Sequence, residues 1–407
     1  MEGRLNNMKY VKIIIVSLTI LLLTGCWNYH ELEDLAIVGG IGIDREADVF
    51  NISVEVLNAK KVASNTGSGG GGGSEETPSV VYEAKGKTIR EALNNIVLES
   101  PVKLYIGHMN LLVIGEETAK DGIYEVLDFF MRDFESRKRF PTFIVQDAKA
   151  SDVLKIIKPL DTVISSNIQT SAENTAAING VISNRLFDEI LMCLYQVGRH
   201  PTISAIKIIK PSKVGESNDN LSSSEPETTI KIIGSAVFKN DKLVGYLNEK
   251  ESIGYTIIRD TAQSITVSFP CDDKGNYGNL AIDSVKNNLE VNVEKGKPIA
   301  KINVTGNAAL VEYNCKTDLK NEKNIKEMKK IADKELEKII EKTITTTQKE
   351  FRSDILGFGE RLYKDNNSYW EKHKKNWDDT FSKMDYKIKT DIKIERIGST
   401  TISAKSR

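Results

Sequence analysis

Residues 108–157, HMNLLVIGEETAKDGIYEVLDFFMRDFESRKRFPTFIVQDAKASDVLKII, decide the fold class. His108 to Ile114 reads as a strand. Thr118 to Phe134 places Ile123, Leu127 and Phe130 on one face of a helix. Pro141 to Val145 is a second apolar run of strand length, and Ala150 to Ile157 a second helix. Strand, helix, strand, helix in that order predicts a mixed α/β layer structure. The pattern extends outward on both sides. Thr88 is a good N-cap for a helix over Ile89 to Leu98, with Glu91 completing a capping box. Before it, Ala36 to Asp44, Phe50 to Val56 and Val80 to Ala84 read as strands. After it come helices near Ser171 to Ile178 and Asn184 to Tyr195, then a strand from Pro201 to Ile209.

Between the strands ending at Val56 and beginning at Val80 lies a Gly/Ser stretch, 64–78, whose composition predicts a flexible loop. Its Gly67 to Ser74 run has no Gly-Lys-Ser/Thr after it and opens no helix, so it is not a phosphate loop. Pro211 to Thr228 is polar and rich in Ser, Asn and Glu, the composition of a linker. Beyond it, Ile230 to Phe238 and Leu243 to Leu247 form a hairpin around Asn240-Asp241. Asn248 caps a helix to about Ile258, and four strand candidates follow between Ile265 and Val304. Asn321 to Gln348 is the longest helix, with Ile325, Met328, Ala332, Leu336, Ile339 and Ile344 on its apolar face. Helices over Ser353 to Lys364 and Tyr369 to Phe381 precede a strictly alternating strand, Tyr386 to Gly398, with Ile388, Ile392 and Ile394 facing inward. The expectation is a multidomain α/β (mixed α+β) protein. It has a leader over 1–25 and an N-terminal α/β region over 26–210 made of two subdomains. A linker over 211–228 and a C-terminal α/β domain over 229–400 complete it.

The leader rests on Leu23-Thr24-Gly25-Cys26, which closes the apolar run Ile13 to Leu23 after Lys9 and Lys12. A positive start, a short apolar core and small residues before cysteine make a bacterial lipoprotein signal. Met8 is the expected initiator. The Cys26 thiol would take a diacylglyceryl group, and cleavage before it would leave the rest outside the cytoplasmic membrane, held by acyl chains. The chain has 56 Lys and Arg against 57 Asp and Glu. Such a balance makes no electrostatic case for nucleic acid. After Cys26 three cysteines remain, at no zinc-ligand spacing. Cys193 reads as a small core residue. Cys271 and Cys315 could pair across a C-terminal sheet, but the favoured reading is that no disulfide forms.

Enzyme chemistry was sought and not found. The chain has no G-x-S-x-G or H-E-x-x-H pattern. His30, His108, His200 and His373 are too dispersed for a metal site, and Glu116-Glu117 and Asp272-Asp273 read as solvated turns. No catalytic residue, metal or cofactor is expected. Trp370 and Trp377, seven apart, suit either core packing or a partner surface.

These blocks together resemble the spore germination lipoprotein family Ger(x)C, the C subunits (GerAC, GerBC, GerKC) of nutrient germinant receptors in spore-forming Firmicutes. The first block is Gly25-Cys26-Trp27-Asn28 with Glu31-Leu32 and Gly42-Ile43-Asp44; the family usually has Asp where Asn28 stands. The second is Gly234 to Phe238 through Asp241 to Leu247, then Glu251. The third is Gln348-Lys349, Ser353 to Glu360, Trp370 and Trp377. The resemblance implies a palmitate-type lipoprotein on the outer face of the spore inner membrane, with A and B subunits as partners. It implies a role in receptor assembly and signalling, without enzyme activity. The rival reading is a solute-binding lipoprotein serving a transporter. Asp354, Gly357, Phe358, Gly359, Trp370 and Trp377 are the candidate partner contacts, with Phe358 as an exposed anchor; the alternative for the glycines is a helix break.

Overall fold

The computed structural model describes residues 12–15, 17, 35–58, 77–100, 103–271 and 275–398. Cys26, with Trp27, Asn28, Glu31 and Leu32, and the Gly67 to Ser74 run lie outside them. Among the described residues no helix is long and apolar enough to cross a membrane. The strands gather into two sheets.

The first sheet has nine strands. In chain order they are β1 (Leu35–Glu46), β2 (Val49–Leu57), β3 (Ser79–Gly86), β4 (Lys103–Tyr105), β5 (Leu111–Gly115), β6 (Thr142–Gln146), β7 (Thr202–Ile209), β8 (Thr229–Lys239) and β9 (Lys242–Leu247). Their spatial order is β3-β2-β1-β5-β6-β7-β8-β9, with β4 beside the start of β1. β1, β5, β6 and β7 run parallel, and antiparallel pairs extend the sheet at both edges. The central strands are apolar on both sides because helices cover both faces. Leu112, Ile114 and Ile144 face α1 (Ile89–Ile96), α2 (Glu116–Asp121), α3 (Tyr124–Arg132) and α6 (Phe187–Tyr195). Leu111, Val113, Phe143 and Val145 face α4 (Ala150–Leu154) and α5 (Ile164–Ile178).

Strand carboxylates fix two of these helices. Asp44 accepts from the N–H groups of Ala150 (2.8 Å) and Ser151 (3.1 Å) at the start of α4. Buried Glu55 accepts from Ile164 (3.0 Å) and Ser165 (3.2 Å) at the start of α5. Burial pushes both carboxyls up, and the N–H donors oppose that. Each charge satisfies donors that a helix start leaves unpaired. Thr88 caps α1 as expected, accepting from the Glu91 N–H at 3.1 Å.

The second sheet is β10 (Ser264–Pro270), β11 (Tyr277–Glu294), β12 (Lys297–Tyr313) and β13 (Asp385–Arg396), in that order. It packs with α7 (Glu249–Ile258) and the 25-residue α8 (Glu322–Thr346) around one core. Met328, Ala332, Leu336, Ile340 and Ile344 of α8 are buried in it. β13 pairs parallel with β12, and Ile392 points inward as the alternation predicts. A π-helical turn, Thr347–Phe351, follows α8 and ends at Arg352 in the left-handed region. The chain then forms α9 (Phe358–Asp365), α10 (Asn367–His373) and α11 (Trp377–Phe381).

The mixed α/β expectation and the terminal strand stand. Several boundaries do not. The helix expected over Thr118 to Phe134 is two, because Gly122 (φ +132°) breaks it. Residues 211–228 do not tether two separate sheets. β8 and β9, which follow them, complete the first sheet. Within this stretch buried Asn220 donates to the carbonyls of Ile157 (2.8 Å) and Thr228 (3.0 Å), so the loop is packed. The strands of 35–209 likewise form one sheet with a core on each face rather than two subdomains. One pair of the expected C-terminal strands is a single long strand, β11, which bulges at Ser284 (φ +55°), and the strand expected from Ala300 runs on to Tyr313 as β12.

The cysteine expectation is also corrected. Cys271 and Cys315 are bonded, with Cα atoms 5.6 Å apart. β10 and β12 both pair with the start of β11, at Tyr277 and Gly278, so the residues just past their ends meet. Cys193 is buried and free, as expected. The bridge closes a separation of 44 residues, for which chain entropy predicts a stabilisation of roughly 3–4 kcal/mol. Cys271→Ser should therefore lower the thermal midpoint by several degrees, and a reductant should lower the wild type to match while leaving the variant unmoved.

Candidate functional site: a buried junction around Asp354

Gln348 to Glu360 connects α8 to α9, and its residues converge on one carboxylate. Asp354 is fully buried. It accepts from the N–H groups of Gly357 (2.8 Å), Phe358 (3.2 Å) and Gly359 (2.7 Å), and from Trp377 Nε1 (2.9 Å). Three of these donors open α9, so a negative charge sits at a helix start, where the macrodipole favours it. Burial pushes the Asp354 carboxyl up; the four donors pull it back toward the ionised form.

The flanking residues tie this turn to both sheets. Gln348 Nε2 donates to the carbonyls of Phe381 (2.9 Å) and Met384 (2.8 Å), fixing the entry to β13. Ser353 Oγ donates to the Phe238 carbonyl at the end of β8 (2.6 Å). The Asp354 carbonyl accepts from the His200 N–H (2.9 Å). His200 Nδ1 in turn accepts from the Asn240 N–H (3.0 Å), which assigns the ring proton to Nε2, 3.3 Å from Asp378 Oδ1. Lys239 reaches the other Asp378 oxygen at 2.8 Å. Gly198 and Gly359 touch backbone to backbone: a Cβ on either would lie under 3 Å from main-chain atoms of the other's segment. Gly198 also has φ +78°, which favours glycine.

A second charged group lies beside the first. Glu360 accepts from Gln196 (2.6 Å) and Lys364 (2.8 Å), and faces Arg259 (3.3 Å) and Arg199 (3.4 Å). Burial pushes its carboxyl up, but these cations outweigh that and hold it below the usual range. Asp378 behaves alike: burial opposes ionisation, and His200 and Lys239 bring it down to about 2. A polar cleft of about 300 Å³ opens here, walled by Gln196, Arg199, His200, Lys374, Trp377 and Asp378.

All six candidate partner contacts thus come together, but inside the molecule. Phe358 has no exposed surface and packs edge-on against Phe381. Trp370 and Trp377 are 4% and 5% exposed, with ring centroids 5.2 Å apart. Phe358 is not an exposed anchor; it fills the core that the second sheet shares with α8. The helix expected from Ser353 starts only at Phe358, because Arg352 and Gly357 (φ +82°) are left-handed and Asp354 holds the turn between them. Gly198, Arg199 and Arg259 carry no mark in the sequence that joins them to this cluster. Among the described residues no group of His, Cys, Asp and Glu could hold a metal ion.

Removing the acceptor orphans four buried donors at ~1–3 kcal/mol each. Asp354→Ala should therefore lose at least about 3 kcal/mol by denaturant unfolding, and Phe358→Ala about 3–5 kcal/mol through its cavity. The low Glu360 and Asp378 values predict stability that is present above the unfolded carboxylate range and is lost as pH falls through the folded values. In Asp378→Asn the fall in unfolding midpoint between about pH 5 and pH 2 should be shallower than in wild type.

Known proteins share this architecture. The family model described as spore germination protein N-terminal domain matches residues 28–208, and the one described as spore germination B3/GerAC like, C-terminal matches 233–398. Spore germination protein KC of Bacillus subtilis (strain 168) is 30% identical over 391 residues, 95% of each chain. Spore germination protein B3 of the same strain is 24% identical, over 95% of this chain and 98% of its own. GerQC of Bacillus cereus is 23% identical, over 93% and 96%. A crystal structure of the GerBC protein aligns with a TM-score of 0.52 and 20% identity, over 88% of this chain and 97% of that one, a likeness of fold. With relatives matching from end to end and both family models in order, the chain belongs to the spore germination GerAC/GerBC/GerKC family, the C subunits of germinant receptors.

Proposed function

We propose that the chain is the lipid-anchored, non-enzymatic C subunit of a spore nutrient-germinant receptor. It acts in receptor assembly and signalling on the outer face of the spore inner membrane. Membership of a family that is generally non-catalytic carries this reading. Cys26, at the end of its apolar leader, supplies the anchor to the bilayer, and the A and B subunits of the receptor are the partners.

The junction supports an assembly role over the solute-binding rival. A solute-binding protein closes two hinged lobes over its ligand. Here the contact between Gly198 and Gly359, the Ser353–Phe238 bond and the Asp354–His200 bond fasten the two sheets without a free linker. The polar cleft beside Arg199 and His200 is at the low end of ligand-pocket size, and cavities of about 620 Å³ beside Phe129 and Phe134 and about 530 Å³ beside Asp147 and Lys207 are the larger places for a small solute to enter. A thermal-shift panel of amino acids and sugars should leave the melting temperature unmoved; a rise with any one of them favours the rival.

Spores carrying Cys26→Ala as the sole change test the main reading. Dipicolinate release should fail for one class of nutrient and persist for non-nutrient triggers. Normal release for every nutrient, repeated in a strain deleted for the whole gene, would defeat it.

A further inference from the structure

We propose that one end of the first sheet, where its parallel strands begin, rests on an anionic lipid bilayer. The inference depends on reading Cys26 as the lipid anchor. α1 and α3 run toward that end, α6 begins beside the start of β6 and finishes before that of β7, and each leaves large apolar side chains in solvent there. Leu98 follows α1 and is 85% exposed; Phe134 follows α3 and is 90% exposed. Tyr195 and Val197 close α6 at 68% and 43%, and Met131, on α3, touches the Tyr195 hydroxyl through its sulfur. The turns at the opposite end, residues 47–48, 87–88 and 147–149, expose no large apolar side chain. Single exposed apolar residues are ordinary on a protein surface, and Tyr124 at the start of α3 is one (49% exposed); the rim differs in gathering Leu98, Met131, Phe134, Tyr195 and Val197 at the ends of three helices.

The anchor enters at this rim. Leu35, the first residue of β1, lies opposite Lys103 of β4. Lys103 pairs with Glu135 at 3.5 Å, and Phe134 is the next residue. Leu35 is nine positions after Cys26, a reach of at most about 30 Å when fully extended. An acylated Cys26 therefore keeps Leu35 within that distance of the bilayer, so contact by this end becomes an intramolecular event at high effective concentration.

Charge favours the same orientation. Arg137 and Arg139 are exposed beside Phe134, with no ion-pair partner among the described residues. Of the acids nearby, Asp133 is paired with Arg90 and Glu135 with Lys103, while Glu99 and Asp188, whose N–H donates to the Lys138 carbonyl, are in no ion pair among the described residues. Basic side chains around exposed aromatic and aliphatic groups are the composition of an interfacial contact, with the apolar groups entering the headgroup boundary.

The test uses the full lipidated chain in vesicles containing phosphatidylglycerol and a doxyl-labelled lipid. A fluorescent label on Phe134→Cys is compared with one on Val311→Cys, which is exposed on β12 of the second sheet. The expected result is at least about a twofold loss of emission at position 134 and none at 311, reduced by Arg137→Glu with Arg139→Glu. Equal quenching at both sites, or at neither, overturns the proposed face. A spectral shift at 134 without quenching also overturns it, because another copy of the chain then covers the rim. Failure of the protein to float with vesicles at all would instead remove the anchor reading on which the proposal depends.

Discussion

One buried carboxylate holds this structure together at its centre. Asp354 gathers the start of α9, the indole of α11 and, through its own carbonyl, the segment leading into β7. Every donor to its side chain is an N–H. An uncompensated charge so fully buried would be prohibitive, and with four donors it becomes the point that joins α9 and α11 to the segment entering β7. The lateral contacts follow from it. With α9 in place, Gly359 can meet Gly198, and Glu360 can collect Arg199 and Arg259.

The parts of this architecture that depend on neighbours in the chain were legible from sequence. Sequence alternation in β2 and β13, the Thr88 and Asn248 caps and the apolar stripe of α8 all come from patterns within a few turns. What failed depended on distance. A string of Asp, two glycines and Phe looks the same whether it presents an aromatic ring to a partner or buries it. Only the arrival of His200, Phe238 and Trp377 from remote positions decides the matter. The Cys271–Cys315 bond was obscured likewise, since it needs β10 and β12 to flank one end of β11.

The motifs that mark the family are, in this chain, mostly geometric. Gly42 lets the backbone of Ala150 come within 3.1 Å of where its side chain would be, and Asp44 caps the helix that Ala150 begins. Gly245 leaves room for the ring of Phe351, and Glu251 closes the capping box with Asn248. Gln348, Ser353 and Asp354 are bonded internally.

The parallel pairing of β12 with β13 has a consequence for how the protein is made. Asp385 lies opposite Ile299, roughly 85 residues earlier, so this pairing is non-local and slow to close. Its second partner is the final strand. Until β13 is in place the second sheet stays open along β12, leaving an unpaired edge exposed to other chains and to proteases. A product truncated before β13 keeps that edge permanently. With β13 docked, the outer strand becomes one whose exposed positions carry Lys387, Lys389 and Lys393, charges that discourage further strand addition.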